Sequence, residues 1–570
     1  MTSQFFRHRC VLTLVFVALA LPGWAANPDP ARGSGGAVAS AAPAATEVGL
    51  GILRAGGNAV DAAVATALAL AVVHPQAGNL GGGGFAVLRI GDEVLALDFR
   101  EIAPAAATHD MYLDHRGRPV SEKSLVGPLA AGVPGSPAGL WELHRKHGKL
   151  PWIAVVTPAA RLAESGFVVT ERLERSLIKA ADLLGRFPET SAVWLPGGGP
   201  PAAGSILKLP GLAATLRAYA EHGPKAITSG PRAAAVEAAS DRHGGILTVA
   251  DLEAYRPIWR EPVVFGAFGW RVVSMPLPSS GGIILAQTAG LLERREWPRM
   301  PRFGADRYHV LVETWRRAYA DRYLLGDPTT TQADASDLLD GRWLDERARS
   351  IRSRKATPSA DVGSWSEPVG VESTETTHLS VVDGSGDAVS ITTTLNGSFG
   401  CGLLVPGAGF LLNNEMDDFA AAPGKPNLYG LLQGEANAVG AGKRMLSSMS
   451  PAIAWRRGET VALGSPGGST IPTATAQVLL NVIVDEDPLQ SAVNRPRIHH
   501  QWMPDEIVTE SDALSPETAR ELERRGHTIR RRSHLGEVHA VRWLADGRVE
   551  AAADPRGPGA AAVVSPAPGS

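Results

Sequence analysis

The stretch Ser373-Thr374-Glu375-Thr376-Thr377-His378-Leu379-Ser380-Val381-Val382-Asp383 decides the reading of this chain. From Thr376 onward it alternates and is rich in β-branched residues, which is the pattern of a strand with a buried face. The Ser/Thr-rich patch ahead of it is ordinary at a strand entry, yet it raises a sharper option. A threonine hydroxyl is a poor nucleophile until a base lies beside it. If the Glu375–Thr376 peptide bond is cut, Thr376 becomes a chain start and its own α-amine is that base. Such an amine titrates at about 7.7–8.0, so an unprotonated fraction exists near neutral pH. Cleavage then creates the position of the nucleophile and its activation in one event.

Working outward, residues 354–373 are polar and interrupted by Pro and Gly, which suits a segment whose two new ends must separate. Downstream the pattern is mainly strands. Residues 377–382 and 388–395 predict a hairpin around Gly384-Ser385-Gly386, and 409–414 a third strand. Residues 452–455 and 460–464 pair around Arg457-Gly458, and 538–543 with 549–552 close the sheet. Helices are expected over 473–484 and 516–525, the second with Ser515 as N-cap, Pro516 in its first turn and Gly526 past its end.

The N-terminal half opens with a small-residue linker over 27–45. Helical spacing starts near Glu47, breaks at Gly56-Gly57, restarts behind Asn58 as N-cap, and ends near His74-Pro75. The run Gly81-Gly82-Gly83-Gly84 follows a helix, not a strand, and lacks a Gly-Lys-Ser/Thr ending, so it reads as close backbone packing and not a phosphate loop. A hairpin, 87–90 with 93–99 around Gly91-Asp92, delivers Asp98-Phe99-Arg100-Glu101. Arg100 there either pairs with a structural carboxylate or captures a substrate carboxylate with two parallel hydrogen bonds. Residues from about 110 to 345 read as mostly helical, without a fixed repeat, and carry bulk but no legible chemistry.

The 570 residues are 44% hydrophobic and 20% charged with a net charge of −3, a globular composition without the electrostatic footprint of a nucleic-acid binder. Length alone suggests roughly three or four domains. Arg7 and Arg9 precede an apolar run, Val11 to Leu21, and Gly23-Trp24-Ala25 suits signal cleavage. The run is short of the roughly 20 residues of a membrane span. We therefore expect a leader over 1–25 and an exported, soluble product, periplasmic or extracellular. Only Cys401 lies beyond that leader, which excludes an intramolecular disulfide and a cysteine-rich metal site; between Gly400 and Gly402 it reads as a packing residue. His499-His500 is poor metal-ligand geometry, because neighbours on a strand face opposite ways.

Taken together, the motifs resemble the gamma-glutamyltranspeptidases, a branch of the N-terminal-nucleophile hydrolases, over nearly the whole mature chain. The carriers are Gly56 to Ala63, His74 to Phe85, Asp98-Phe99-Arg100-Glu101, Thr376-Thr377-His378, Leu411 to Phe419, Leu446 to Pro451 and Gly464 to Ser469. The resemblance implies an α+β fold, a four-layer αββα sandwich built jointly by two subunits cleaved from one precursor. They would be a large subunit over 26–375 and a small, catalytic one over 376–570, held together as a heterodimer. It implies Thr376 as nucleophile and base, Thr394 as the hydroxyl that orients it, and Gly467 and Gly468 as the oxyanion hole. Arg100, Ser447 and Ser448 would take the α-carboxylate of a γ-glutamyl donor, and Asn396, Glu415 and Asp418 its α-ammonium. Tyr429, within 423–431, resembles a lid residue. Glutathione and related γ-glutamyl compounds are the implied donors, amino acids or dipeptides the acceptors, and no metal or organic cofactor is implied. The formal sequon Asn396-Gly397-Ser398 would put a glycan in that site, so it is read as unused. Two alternatives stay open: an acylase of the same fold acting on glutaryl side chains of β-lactams, and a non-catalytic glutathione-binding protein.

Overall fold

The computed structural model describes residues 29–363, 376–424 and 433–564. Two seven-stranded antiparallel sheets lie at its centre. The first runs in the order Ala560–Val563, Gly36–Ser40, Thr377–Asp383, Ala388–Thr394, Gly83–Ile90, Glu93–Phe99, Ile258–Arg260. The second runs Ala31–Gly33, Val549–Ala552, His539–Trp543, Glu459–Gly464, Ala452–Arg456, Trp270–Ser274, Val263–Ala267.

The period-2 alternation of the strands sorts their side chains into separate cores. Leu379, Val381, Val389, Ile391, Ala86 and Leu88 face outward into a core shared with the helices Pro43–Arg54, Ala59–Val73, Trp152–Ser165 and Pro210–His222. Val382, Ala388, Phe85 and Val87 face inward and meet Val273, Ile453, Ala462 and Val541 of the second sheet. The other face of that sheet, with Val272, Ala454, Val461 and Leu463, packs on Gly281–Arg294, Ile471–Ile483 and Leu489–Asn494. The result is the four-layer αββα arrangement. Each fully buried Val, Leu or Ile contributes about 1.5–3 kcal/mol, so an Asp at Val381 would break the outer core.

The expected hairpins Gly83–Ile90 with Glu93–Phe99, Thr377–Asp383 with Ala388–Thr394 and Ala452–Arg456 with Glu459–Gly464 are formed. Asn58 caps Ala59–Val73 through a capping box with Asp61, and Ser515 caps Pro516–Arg524. The glycine run is a packing device: a Cβ on Gly82 would lie 2.2 Å from the Thr394 carbonyl oxygen, and one on Gly84 2.5 Å from that of Thr392. Cys401 is fully buried, and burial pushes its thiol up to about 12, as suits a packing residue.

Four expectations are corrected. The supposed linker contains Gly36–Ser40, a central strand fully covered on both faces, whose small residues fit beneath the Pro43–Arg54 helix. Residues 409–414 form only an isolated bridge between Leu411 and Leu404, because the segment is anchored by Asn413 and Asn414 instead of a ladder. The nominally helical middle region supplies three strands to the two central sheets, Ile258–Arg260, Val263–Ala267 and Trp270–Ser274, and a separate two-stranded pair, Phe167–Val168 with Ile206–Leu207. The first sheet closes on Ala560–Val563, and not on Val549–Ala552, which belongs to the second sheet. The expected leader, residues 364–375 and Tyr429, expected as a lid residue, lie outside the described residues.

Candidate active site

The hairpin register places the two threonines. Thr377 pairs with Thr393 and each step down the ladder is antiparallel, so Thr376 stands opposite Thr394 at the open end. Their hydroxyl oxygens are 3.4 Å apart. The Thr394 hydroxyl accepts the Asn396 N–H at 2.8 Å, which fixes its direction. Asn79 holds the same end of the strand, donating to Thr393 Oγ1 at 3.0 Å and to the Thr394 carbonyl at 2.8 Å. Behind Thr376, His378 bridges Thr392 Oγ1 and Ser380 Oγ, each at 2.9 Å. Burial holds its imidazole neutral, well below the usual histidine range. A Cβ on Gly464 would lie 2.4 Å from the His378 ring, so the strand carrying Thr376 is in close contact with the strand that leads into Gly467-Gly468.

Gly467 and Gly468 have φ of 127° and 56°, a turn that L side chains rarely adopt. The turn is tied by Thr470 Oγ1 donating to the Gly467 carbonyl at 2.7 Å, and it feeds the N-terminus of the Ile471–Ile483 helix. Backbone N–H groups at such an end favour negative charge.

Arg100, Thr376, Thr394, Asn396, Glu415, Asp418, Ser447, Ser448 and Gly468 line one cavity of about 290 Å³, its open mouth included. Gly467 stands next to it in the turn, not on its wall. Arg100 is not free in this cavity: its Nη1 donates to Glu415, its Nη2 to Asp418 at 2.5 Å, and its Nε to the Met445 carbonyl at 3.4 Å. Of the two readings of Arg100 the fold shows the structural ion pair, and its partners are residues the resemblance assigns to the α-ammonium. Burial pushes the Glu415 and Asp418 carboxyls above the usual range, and the Arg100 guanidinium opposes that rise. Glu101, behind them, has no hydrogen-bond partner on either oxygen, and burial pushes it up to about 8.

Asn396 has φ of 71°, donates its side-chain N–H to the Asn414 carbonyl at 3.0 Å, and is buried, so the sequon cannot carry a glycan. The Ser447 carbonyl accepts from both the N–H and the Oγ of Ser280, at 2.9 and 2.8 Å. His499 and His500 do not share ligands: the first bonds Thr473 Oγ1, and the second meets the Arg316 guanidinium and Asp505.

The Ala305–Arg322 helix lies in the region read as mostly helical, but its part in the site was not legible in the sequence. Its Tyr319 hydroxyl donates to the Ser469 carbonyl beside the glycine turn, and its Arg322 is part of the cavity wall. No motif advertised either residue.

A family model described as Gamma-glutamyltranspeptidase matches residues 45–564. This chain belongs to the gamma-glutamyltranspeptidase family. It is 43% identical over 531 residues to the glutathione hydrolase proenzyme of Escherichia coli (strain K12), covering 92% of this chain and 91% of that one. To the glutathione hydrolase proenzyme of Pseudomonas aeruginosa it is 42% identical over 541 residues, covering 93% and 95%. Among solved structures, cephalosporin acylase from Bacillus halodurans superposes with a TM-score of 0.84 at 27% identity, covering 97% of this chain and 100% of that one. The chain therefore has the N-terminal-nucleophile hydrolase fold. Among the described residues, no helix is long and apolar enough to cross a membrane.

Proposed function

We propose that the chain is a γ-glutamyl transferase and hydrolase acting on glutathione and related γ-glutamyl amides, with Thr376 as its nucleophile. The observation that carries this reading is one cavity in which a hydroxyl pair at a strand end meets two guanidiniums, two carboxylates and two serines. A γ-glutamyl donor brings a free α-carboxylate and α-ammonium on the same carbon, and such a zwitterion matches that set. Holding both ends fixes which carbonyl reaches Thr376, namely the γ one.

Maturation breaks the Glu375–Thr376 bond. The Glu375 carbonyl carbon passes from the Thr376 nitrogen to its hydroxyl oxygen as an ester, and water releases the Glu375 carboxylate. The freed α-amine then takes the hydroxyl proton as Thr376 attacks the γ-carbonyl. Thr394 orients the attacking oxygen. The N–H groups of Gly467 and Gly468 receive the alkoxide; one such donor is typically worth about 2.7–4 kcal/mol. Collapse expels the leaving amine, which takes its proton from the Thr376 ammonium. The γ-glutamyl ester then goes to water, giving glutamate, or to an amino acid or dipeptide, giving a new γ-glutamyl peptide. Residues 26–375 and 376–570 are the proposed subunits, and the leader would deliver them to the periplasm or the exterior.

The acylase reading differs at one point. A glutaryl group lacks the α-ammonium and would leave Glu415 and Asp418 with Arg100 alone. Comparing turnover of γ-glutamyl and glutaryl anilides tests the choice: the proposal requires the γ-glutamyl substrate to be preferred, and a preference for glutaryl defeats it. A purified chain that stays uncut and turns over neither would favour a binding protein.

A further inference from the structure

The donor cavity holds two guanidiniums, and they are differently engaged. Arg100 has its Nη1, Nη2 and Nε directed to Glu415, Asp418 and the Met445 carbonyl. Arg322 closes the Ala305–Arg322 helix and is buried in the same wall, beside Thr376, Asp418 and Ser447. Its Nε donates to Ser280 Oγ at 3.0 Å, and that hydroxyl donates to the Ser447 carbonyl at 2.8 Å. Its Nη1 is buried without a hydrogen-bond partner. Burial lowers its pKa to about 10, so it remains charged at neutral pH. A charged donor left unmatched in a dry site is unfavourable, and an anionic ligand arriving there removes the mismatch.

The chain Arg322–Ser280–Ser447 puts this guanidinium one residue from the serine turn. Arg100, by contrast, can serve a ligand only by loosening its hold on Glu415 and Asp418 or by sharing its remaining N–H groups. We infer that Arg322 is a second guanidinium of the donor site, giving its Nη1–H to the α-carboxylate of the γ-glutamyl group beside Ser447 and Ser448. The inference rests on the γ-glutamyl reading above. It gives the ligand's carboxylate a second cation beside Arg100, whose Nη1 and Nη2 are directed to Glu415 and Asp418.

The test compares two donors that differ by that carboxylate: γ-glutamyl anilide, and 4-aminobutyryl anilide, which keeps the amine and lacks the α-carboxylate. In Arg322→Gln, kcat/KM for γ-glutamyl anilide is expected to fall about 10- to 100-fold, chiefly through KM, as for loss of a charge-assisted hydrogen bond. Turnover of 4-aminobutyryl anilide should change less than about threefold, because only the interaction with the missing group is lost. Equal losses on both donors would mean that Arg322 only braces the Ser447 turn, and unchanged γ-glutamyl kinetics would mean that it makes no contact; either overturns the inference. If Arg322→Gln does not mature, Arg322→Lys repeats the comparison with the charge retained. A selective rise in KM for the γ-glutamyl donor supports the inference, and an equal loss on both donors contradicts it. Wild-type protein that leaves γ-glutamyl anilide intact defeats the underlying reading, a result distinct from any change in the variants' ratio.

Discussion

The threonine side of the cavity and its ionic side differ in what holds them. Thr376, Thr394 and the Gly467-Gly468 turn carry no side-chain charge, and their places follow from sheet register, the His378–Gly464 contact and a helix N-terminus. Arg100, Glu415, Asp418, Glu101 and Arg322 are all buried ionisable groups drawn from distant segments, and several hold one another. Backbone geometry positions the first set whether or not a ligand is present. In the second set a ligand must exchange its own charges for existing pairs, so binding there is a difference between two sets of ion pairs. Burying such charges costs several kcal/mol per ion before their attraction is counted. If Thr376 is the nucleophile as proposed, the threonine side is expected to fail in rate, and the ionic side in binding and selectivity.

Thr376→Ala probes the contrast most severely: turnover should vanish, a fall of at least about 10⁴-fold as for removal of other nucleophiles, and residual activity above background would break it. Gly467→Ala comes next. A Cβ there would lie 2.4 Å from Thr470 Oγ1 at a φ of 127°, and displacing one oxyanion donor should lower kcat about 10²–10³-fold with KM little changed. A change confined to KM would move Gly467 to the binding side. Asp418→Asn should show the opposite signature, with kcat/KM for γ-glutamyl anilide down about 10- to 100-fold and glutaryl anilide less affected, because only the first carries an ammonium. Thr394→Val should lower kcat about tenfold, in keeping with one hydrogen bond of about 1–1.5 kcal/mol.

The smallest effect on turnover, less than about threefold, is expected for Glu101→Gln, which sharpens the comparison through stability instead. Glu101 titrates at about 8 in the fold against about 4.3 in an unfolded chain. Between those values the native state binds more protons, so this group's contribution falls as pH rises from about 4 to about 8 and is level above that. The Gln variant should therefore lose less melting temperature between pH 5 and pH 8 than the wild type. An unchanged difference would show that Glu101 does not carry that burial cost.

What could be read in advance follows the same division. The hairpin carrying Thr376 and Thr394 was legible because alternation and a Gly-Ser-Gly turn are local signals, and Arg100 was legible for the same reason. Gly36–Ser40 and Ala560–Val563 passed for linker and tail because Ala and Gly have little strand propensity of their own; burial and pairing make them strands. The hairpin Val263–Ala267 with Trp270–Ser274 did leave a signal, the Phe268-Gly269 turn between β-branched and aromatic runs, but a long helical reading covered it. Arg322 left none. A cation in a charged helix reads as a solvated face or an ion pair, and its partners Ser280 and Ser447 come from other segments.

The most direct test is the N-terminal sequence of the shorter fragment of the purified wild-type protein. The account predicts Thr-Thr-His-Leu-Ser, beginning at Thr376. A fragment starting anywhere else, or an unbroken chain that turns over γ-glutamyl anilide, would contradict it.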